Sequence, residues 1–172
     1  GSGHILVYAF DIFYEMYLEK GYIPSEIPKL ILEKNLYGLD VDDRAVQLAS
    51  FAVMMKAREK SRRVLSQKIK LNICSIQESK WLTDEVITSI AKDNQEVFND
   101  LKIIKETFFD AKEIGSLLNI GKLNFISIEN YFKNYKNEQT DLLEWKTREK
   151  VLKNFPNLLT QSKILSQVYD VV

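Results

Sequence analysis

The stretch that decides the fold is Leu36-Tyr37-Gly38-Leu39-Asp40-Val41-Asp42-Asp43-Arg44-Ala45. Its apolar first half predicts a strand from Leu36 to Val41, and a helical apolar pattern begins at Ala45. Asp42 or Asp43 can cap that helix with a side-chain oxygen. The stretch therefore predicts a strand that runs straight into a helix, with Asp40 at the carboxyl end of the strand.

Predicted elements on both sides of this stretch alternate between helix and strand. A helix follows Gly1-Ser2-Gly3-His4 and ends at Gly21. A short helix from Ile27 to Glu33 precedes the strand, a long helix runs from Asp43 to about Arg63, and Ile69–Ile73 alternates as a further strand. The buried stripe expected along the long helix is Ala45, Leu48, Ala49, Ala52 and Val53. This order predicts an α/β fold with a parallel sheet covered by helices.

The second half of the chain is predicted to be mostly helical. Its expected helices run from Trp81 to about Phe109, from Asn130 to Glu138, from Leu142 to Phe155, and from Pro156 through Asn157 to Ser166. Leu123–Ile128 alternates weakly and indicates either a strand or an extended loop. Tyr169–Val172 predicts the start of another strand, in which the chain stops.

Composition excludes several classes of function. Lys+Arg and Asp+Glu number 24 each in 172 residues, so no overall basic charge points to nucleic acid. A modest basic cluster, Arg62, Arg63, Lys68 and Lys70, is interpreted as a solvated helix end. No apolar run approaches the roughly 20 residues that cross a bilayer. We therefore expect a protein that does not enter a membrane.

The chain offers few residues for metal or nucleophilic chemistry. His4 is the sole histidine and Cys74 the sole cysteine, so a zinc site of His and Cys ligands cannot be built, and we expect no metal. A single cysteine also precludes an intrachain disulfide and fits a reducing cytoplasm. No phosphate loop of the G-x-x-x-x-G-K-[ST] type occurs.

What remains is a pattern typical of nucleoside binding. Small residues before a helix leave backbone N–H groups free for a negative or polar ligand, although Gly1-Ser2-Gly3 can equally be a flexible start. In open α/β sheets ligands lie at the carboxyl ends of strands, where an acid such as Asp40 can accept hydrogen bonds from ribose hydroxyls.

At these residues the sequence resembles a known family. Gly1–Leu6 is similar to the tail of the first motif of N6-adenine DNA methyltransferases, and Leu36–Ala45 is similar to their second motif. Tyr169–Val172 resembles the strand that leads into their catalytic motif, Asn-Pro-Pro-Tyr. The wider match through Ile27–Asn35 and Met54–Arg58 resembles the large, Pgl-type methyltransferases of BREX phage-defence systems, which are similar to type IIG restriction–modification enzymes.

The resemblance implies transfer of a methyl group from S-adenosylmethionine to adenine N6 in a defined DNA sequence. It implies that Gly1 and Gly3 lie against the methionine part of the cofactor, that Asp40 holds the ribose hydroxyls, and that Val41 packs on the adenine. The loop after the third strand of the family also contacts the adenine, and here it holds Ser75-Ile76-Gln77. We therefore expect Ser75 and Gln77 to complete the cofactor site.

The resemblance also implies a partial class I, Rossmann-like methyltransferase domain over residues 1–172. Its cofactor motifs occupy 1–80, a mostly helical insertion 81–155, and a helix and strand 156–172. The family's first strand would precede Gly1, and Asn-Pro-Pro-Tyr would follow Val172, so no catalytic residue is assigned. We expect a fragment that is inactive alone and binds S-adenosylmethionine weakly or not at all.

Two other interpretations stay open at this point. The long helical stretch Trp81–Asn119 and the missing catalytic motif are also typical of a non-catalytic structural or interaction module. An acid after a strand also fits an NAD site, although Leu6 replaces the third glycine of G-x-G-x-x-G. For the methyltransferase, the expected partners are DNA and other phage-defence proteins, and the expected location is the cytoplasm.

Overall fold

The computed structural model describes residues 1–137 and 145–167, which divide into two compact units with the boundary between Ser75 and Ile76. The strand predicted at Tyr169–Val172 and the first residues of the helix predicted at Leu142 lie outside the described residues. The first unit carries the strand–helix stretch with Asp40, and the second unit is helical.

The first unit alternates between helix and strand, as the sequence predicts. Its elements are α1 (His4–Glu19), α2 (Ile27–Lys34), β1 (Tyr37–Asp40), α3 (Asp43–Lys60), a 3-10 turn (Arg62–Ser66) and β2 (Asn72–Ser75). The two strands pair in parallel, with Tyr37 opposite Asn72 and Asp40 opposite Ser75. The predicted parallel α/β arrangement is therefore confirmed as a small, two-stranded sheet within a helix-rich chain.

Local sequence explains where these helices begin. Asp42 is the N-cap of α3, and its Oδ1 accepts a hydrogen bond from the Arg44 N–H at 2.9 Å. Pro28 lies in the first turn of α2, where its missing N–H costs no helical hydrogen bond. Gly21 follows α1 with φ +79°, a left-handed conformation that glycine adopts without strain.

The core of the first unit forms where α1, α2 and α3 pack together beside the sheet. Its most deeply buried side chains are Phe10, Ile27, Ile31, Leu32, Leu36, Val53, Ala57 and Val64. On α3 the buried stripe is Ala49, Val53 and Ala57, spaced four residues apart. Leu48, predicted to be buried, is instead 55% exposed, because it lies about 100° around the helix from Ala49.

Both predicted strands are shorter or shifted in the structure. Pairing with β1 begins at Asn72, so β2 lies three residues later than the predicted Ile69–Ile73. Ile69 and Leu71 produce the alternating apolar pattern because they pack against the core from the segment before β2. They do not pair with β1. The Asn72 side-chain amide donates to the Glu33 carbonyl at 2.9 Å at the start of β2. Ser75 is consequently the last residue of a strand, not part of a loop.

The second unit contains α4 (Asp84–Ala91), α5 (Gln95–Thr107), α6 (Ala111–Ile114), a 3-10 turn (Gly115–Leu117), α7 (Phe125–Asn137) and α8 (Trp145–Ser166). The single helix predicted from Trp81 to Phe109 is wrong. Lys92 adopts φ +51°, and Asn94 caps a new helix by accepting from the Val97 N–H at 2.9 Å. No helix of the described residues is long and apolar enough to cross a membrane.

Two further predictions in this unit are corrected. Phe125–Ile128 is neither strand nor loop, since Asn124 accepts from the Ser127 N–H at 3.1 Å and α7 starts at Phe125. Pro156 lies inside α8 and does not start a helix. Phe155 and Leu158, on either side of it, are both buried. This packing keeps the helix continuous, although Pro156 has no backbone N–H to donate.

A buried glutamine ties the start of the second unit to α8. Gln161 is fully buried; its side-chain oxygen accepts from the Gln77 N–H, and its amide donates to the Gln77 carbonyl, both at 2.8 Å. One side chain thereby satisfies both backbone groups of a residue outside regular secondary structure. The conformation of the segment after β2 depends on these two bonds.

We expect Gln161→Leu to destabilise the chain by about 1–3 kcal/mol, because the Gln77 backbone loses both bonds in a partly buried setting. Gln47→Leu, at an exposed position of α3, is the matched control and should change stability by less than about 0.5 kcal/mol. Urea denaturation followed by circular dichroism measures both. Equal effects of the two changes would contradict the role assigned to Gln161.

Candidate functional site

A cleft of about 460 Å³ opens in the first unit where α1 begins and β1 ends. Its lining includes Gly1, Gly3, Leu6, Gly38, Asp40 and Ala49. The glycine turn before α1 thus lies beside the acid that follows the apolar strand. Two motifs separated by more than thirty residues in the sequence thus line one cleft.

Gly3 is held against α3 so closely that a side chain cannot be added. Its φ is +81°, and a Cβ built on it would lie 2.8 Å from both the Cα and the Cβ of Ala49. Such contacts are shorter than van der Waals distances, and one of the two partners is a backbone atom. Glycine at position 3 is therefore required both by its left-handed conformation and by the space that Ala49 leaves.

The start of α1 presents unpaired backbone donors to the cleft. The first bond of the helix runs from the Val7 N–H to the Gly3 carbonyl at 3.0 Å, so the N–H groups of the preceding turn have no helical partner. Gly3, the N-cap residue, has no side chain with which to cap them. The first turn of α1 therefore offers partial positive charge to a ligand in the cleft.

Asp40 supplies the negative side of the cleft. Its Oδ2 accepts from the Gly1 nitrogen, and its Oδ1 accepts from the Asp42 N–H at 2.9 Å. The hydrogen bond from Gly1, followed by the one from Asp42, lowers the pKa of Asp40 below its ordinary value. Asp40 is thus an ionised hydrogen-bond acceptor at neutral pH.

Ser2 and His4 add a polar pair to the same wall. The Ser2 Oγ lies 2.6 Å from the His4 Nδ1, and both residues line the cleft. Because the donor and acceptor roles of the imidazole nitrogens depend on the tautomer, this pair can meet either kind of polar group. The described residues contain no group of three His, Cys, Asp or Glu side chains suited to a metal ion.

Small residues that the sequence interpretation did not assign to the site shape the cleft. A Cβ on Gly38 would lie 3.5 Å from the Leu6 and Ile73 side chains, so a side chain there would fill the cleft floor. Ala49, which was expected in the buried stripe of the long helix, lies directly against Gly3. Both positions carry a small residue inside an apolar segment, which is the signal that could have identified them.

The other residues predicted for the site have different surroundings. Val41 is 43% exposed and follows Asp40 outside β1. Ser75 lies opposite Asp40 in the strand register. Gln77 belongs to the second unit, where Gln161 holds its backbone. The described structure therefore brings Gly1, Gly3 and Asp40 to one cleft and places Ser75 beside them through strand pairing.

Known proteins contain segments similar to this chain. It is 51% identical over 90 residues to the adenine-specific methyltransferase BrxX of Escherichia coli O9:H4 (strain HS), covering 52% of this chain and 8% of that protein. It is 39% identical over 119 residues to the adenine-specific methyltransferase PglX of Lacticaseibacillus casei (strain Zhang), covering 69% of this chain and 10% of that protein. This chain is a relative of adenine-specific methyltransferases.

The resemblance to BREX, Pgl-type methyltransferases is thereby confirmed at the level of sequence. The chain spans about a tenth or less of the length of the curated relatives that it matches. No family model matches it. The similarity therefore identifies the kind of protein, while the role of each residue in the cleft depends on the geometry described above.

The Gly3–Ala49 contact predicts different costs for two glycine-to-alanine changes. Gly21 has nearly the same φ, +79°, but open space around it. Gly21→Ala should therefore lower the free energy of unfolding by about 1–2 kcal/mol, the strain of placing alanine in the left-handed conformation. Gly3→Ala should cost about 1–3 kcal/mol more, because Ala49 must also move. Chemical denaturation of both variants tests this, and equal losses would show that the contact with α3 does not constrain Gly3.

Proposed function

We propose that this chain contributes the S-adenosylmethionine site of a DNA adenine-N6 methyltransferase, built on a class I, Rossmann-like arrangement. The observation that carries the proposal is that two unlike groups line one cleft. They are the start of α1, which has no side-chain cap, and Asp40. Both lie at the carboxyl end of β1, where ligands of parallel α/β sheets bind.

The chemistry of the cofactor matches this pairing. S-adenosylmethionine carries a carboxylate at its methionine end, which suits the donors at the start of α1 beside Gly1 and Gly3. Its ribose carries two hydroxyls, which suit an ionised acceptor such as Asp40. The cleft volume, about 460 Å³, lies within the roughly 300–1,000 Å³ typical of small-molecule sites. When bound, the cofactor supplies the activated methyl group.

The remaining contacts of the proposal concern the adenine ring of the cofactor. Val41, directly after Asp40 and partly exposed, offers an apolar surface against which the ring can pack. Ser75 ends β2 opposite Asp40 and can supply a polar contact at the same edge of the sheet. Gln77 is assigned to this set by its position after β2 in the sequence.

The proposed substrate is adenine in a defined DNA sequence. The names of both relatives specify adenine, and this is the support for the choice of base. To reach a methyl donor in a cleft, an adenine must leave the duplex, since its N6 is otherwise held in the base stack. The described residues carry no assigned catalytic group, so in this proposal their role is to bind and orient the cofactor. The protein is proposed to act in the cytoplasm beside other phage-defence proteins.

The role of Asp40 is tested by removing its charge. In a protein extended at both ends in its natural reading frame, Asp40→Asn should weaken S-adenosylmethionine binding at least tenfold, about 1.4 kcal/mol. Asp43→Asn removes the same charge three residues away, from the first turn of α3, and should leave the affinity within about threefold. Isothermal titration calorimetry measures both. Unchanged affinity in the Asp40 variant would remove this residue from the site.

The class of cofactor is tested with competing nucleotides. Titration of the same extended protein with S-adenosylmethionine and with NAD should give binding of the first alone. The reason is that Leu6 occupies the position of the third glycine and lines the cleft, where a dinucleotide fold keeps space for a pyrophosphate. Tighter binding of NAD would replace the methyltransferase proposal by an oxidoreductase, and binding of neither would favour a non-catalytic module.

A further inference from the structure

A dense group of cations lies at the end of the first unit that is remote from the cleft. We call it the basic edge; its members are Arg58, Lys60, Arg62, Arg63, Lys68 and Lys70. All six are exposed. Between positions 58 and 70 there is one acid, Glu59, whose carboxylate lies 3.3 Å from the Lys56 ammonium. Within the part of the chain that the structure describes, none of the six makes an ion pair.

The topology places these cations toward the amino ends of the strands, whereas Asp40 lies at the carboxyl end of β1. α3 starts directly after β1 and has 18 residues, so the helix is about 27 Å long. Arg58 and Lys60 are in that last turn, and Lys70 comes just before β2, at the amino end of a parallel strand. A ligand bound at the basic edge therefore leaves the cleft open.

The helix dipole explains only part of this group. Cations favour the carboxyl end of a helix because of the partial negative charge there, and this accounts for Arg58 and Lys60. Arg62, Arg63 and Lys68 come after the end of α3, where the dipole has faded. None of these three makes an ion pair with a carboxylate among the described residues, so they are available to an external anion.

We propose that the basic edge binds the phosphate backbone of duplex DNA without reading its sequence. The choice of DNA as the polyanion rests on the proposed methyltransferase function. Three of the six cations are arginines, whose planar forks match phosphate oxygens. An anionic membrane fits less well, because Leu65 is the one exposed large apolar residue between positions 58 and 70, and surface-bound proteins bury a wider apolar face.

This assignment gives the first unit two functions at opposite ends. The cleft holds the cofactor, while the basic edge contacts a stretch of duplex that does not enter the cleft. Contacts of this kind depend on salt, because each phosphate that is neutralised releases counterions. Loss of one such cation lowers the slope of log affinity against log salt by about one, for any DNA sequence.

The test is a triple variant of the chain, Arg62→Ala, Arg63→Ala, Lys68→Ala, which removes three exposed cations outside the helices and the core. The control, Lys112→Ala, Lys122→Ala, Lys133→Ala, removes three exposed cations of the second unit. Fluorescence anisotropy with a labelled duplex of about 20 base pairs is recorded from 50 to 200 mM salt. We expect the basic-edge variant to lose at least tenfold in affinity at 50 mM salt and two to three units of salt slope, while the control stays within threefold.

Several results would overturn the proposal. They are absence of DNA binding by the unaltered chain, equal losses in both triple variants, or binding of anionic phosphatidylglycerol vesicles in place of DNA. Failure here is distinguishable from failure of the proposed cofactor site, because S-adenosylmethionine binding by the extended protein depends on Asp40 and should be unchanged in the basic-edge variant. Weaker cofactor binding in that variant would show a structural effect and would also count against the assignment.

Discussion

The contact between Gly3 and Ala49 is the constraint on which the rest of the first unit depends. It sets how closely the start of α1 approaches α3, because a Cβ at position 3 would lie 2.8 Å from two atoms of Ala49. α3 is in turn joined to β1 by the short turn that contains Asp42. The distance between the donors of α1 and the Asp40 carboxylate therefore follows from one close backbone contact.

The electrostatics of the cleft follow from that geometry. The Asp40 carboxylate lines the same cleft as the start of α1, and it accepts hydrogen bonds from Gly1 and from the Asp42 N–H in the β1–α3 turn. These interactions keep the pKa of Asp40 low, with the hydrogen bond from Gly1 as the main cause. The cleft therefore offers backbone donors at the start of α1 and an ionised acceptor at Asp40, which are the two features on which the proposed cofactor site depends.

Charge is also divided along α3. Acidic side chains Asp42 and Asp43 stand at its start beside the cleft, and cations follow its end at the basic edge. A chain with equal numbers of acids and bases can thus present groups of opposite sign at the two ends of a helix about 27 Å long. Overall net charge is a poor guide to such a protein, because nucleic acid responds to the local surface and not to the total.

The sequence by itself determined the local elements of the first unit and the kind of protein. The N-cap at Asp42, the glycine after α1 and the alternation of helix and strand depend on neighbouring residues, and similar motifs identify the methyltransferase relatives.

The sequence did not predict the register of β2, the exposure of Leu48, the break at Lys92 or the continuous α8. The register of β2 and the continuity of α8 depend on residues distant in the chain, whereas the break at Lys92 depends on its backbone conformation and on the local cap at Asn94. For the site, the sequence supplied Gly1, Gly3 and Asp40 as candidates. Only tertiary packing decided that Gly38 and Ala49 shape the same cleft, because whether a small residue opens a cleft or fills a core depends on what lies across from it.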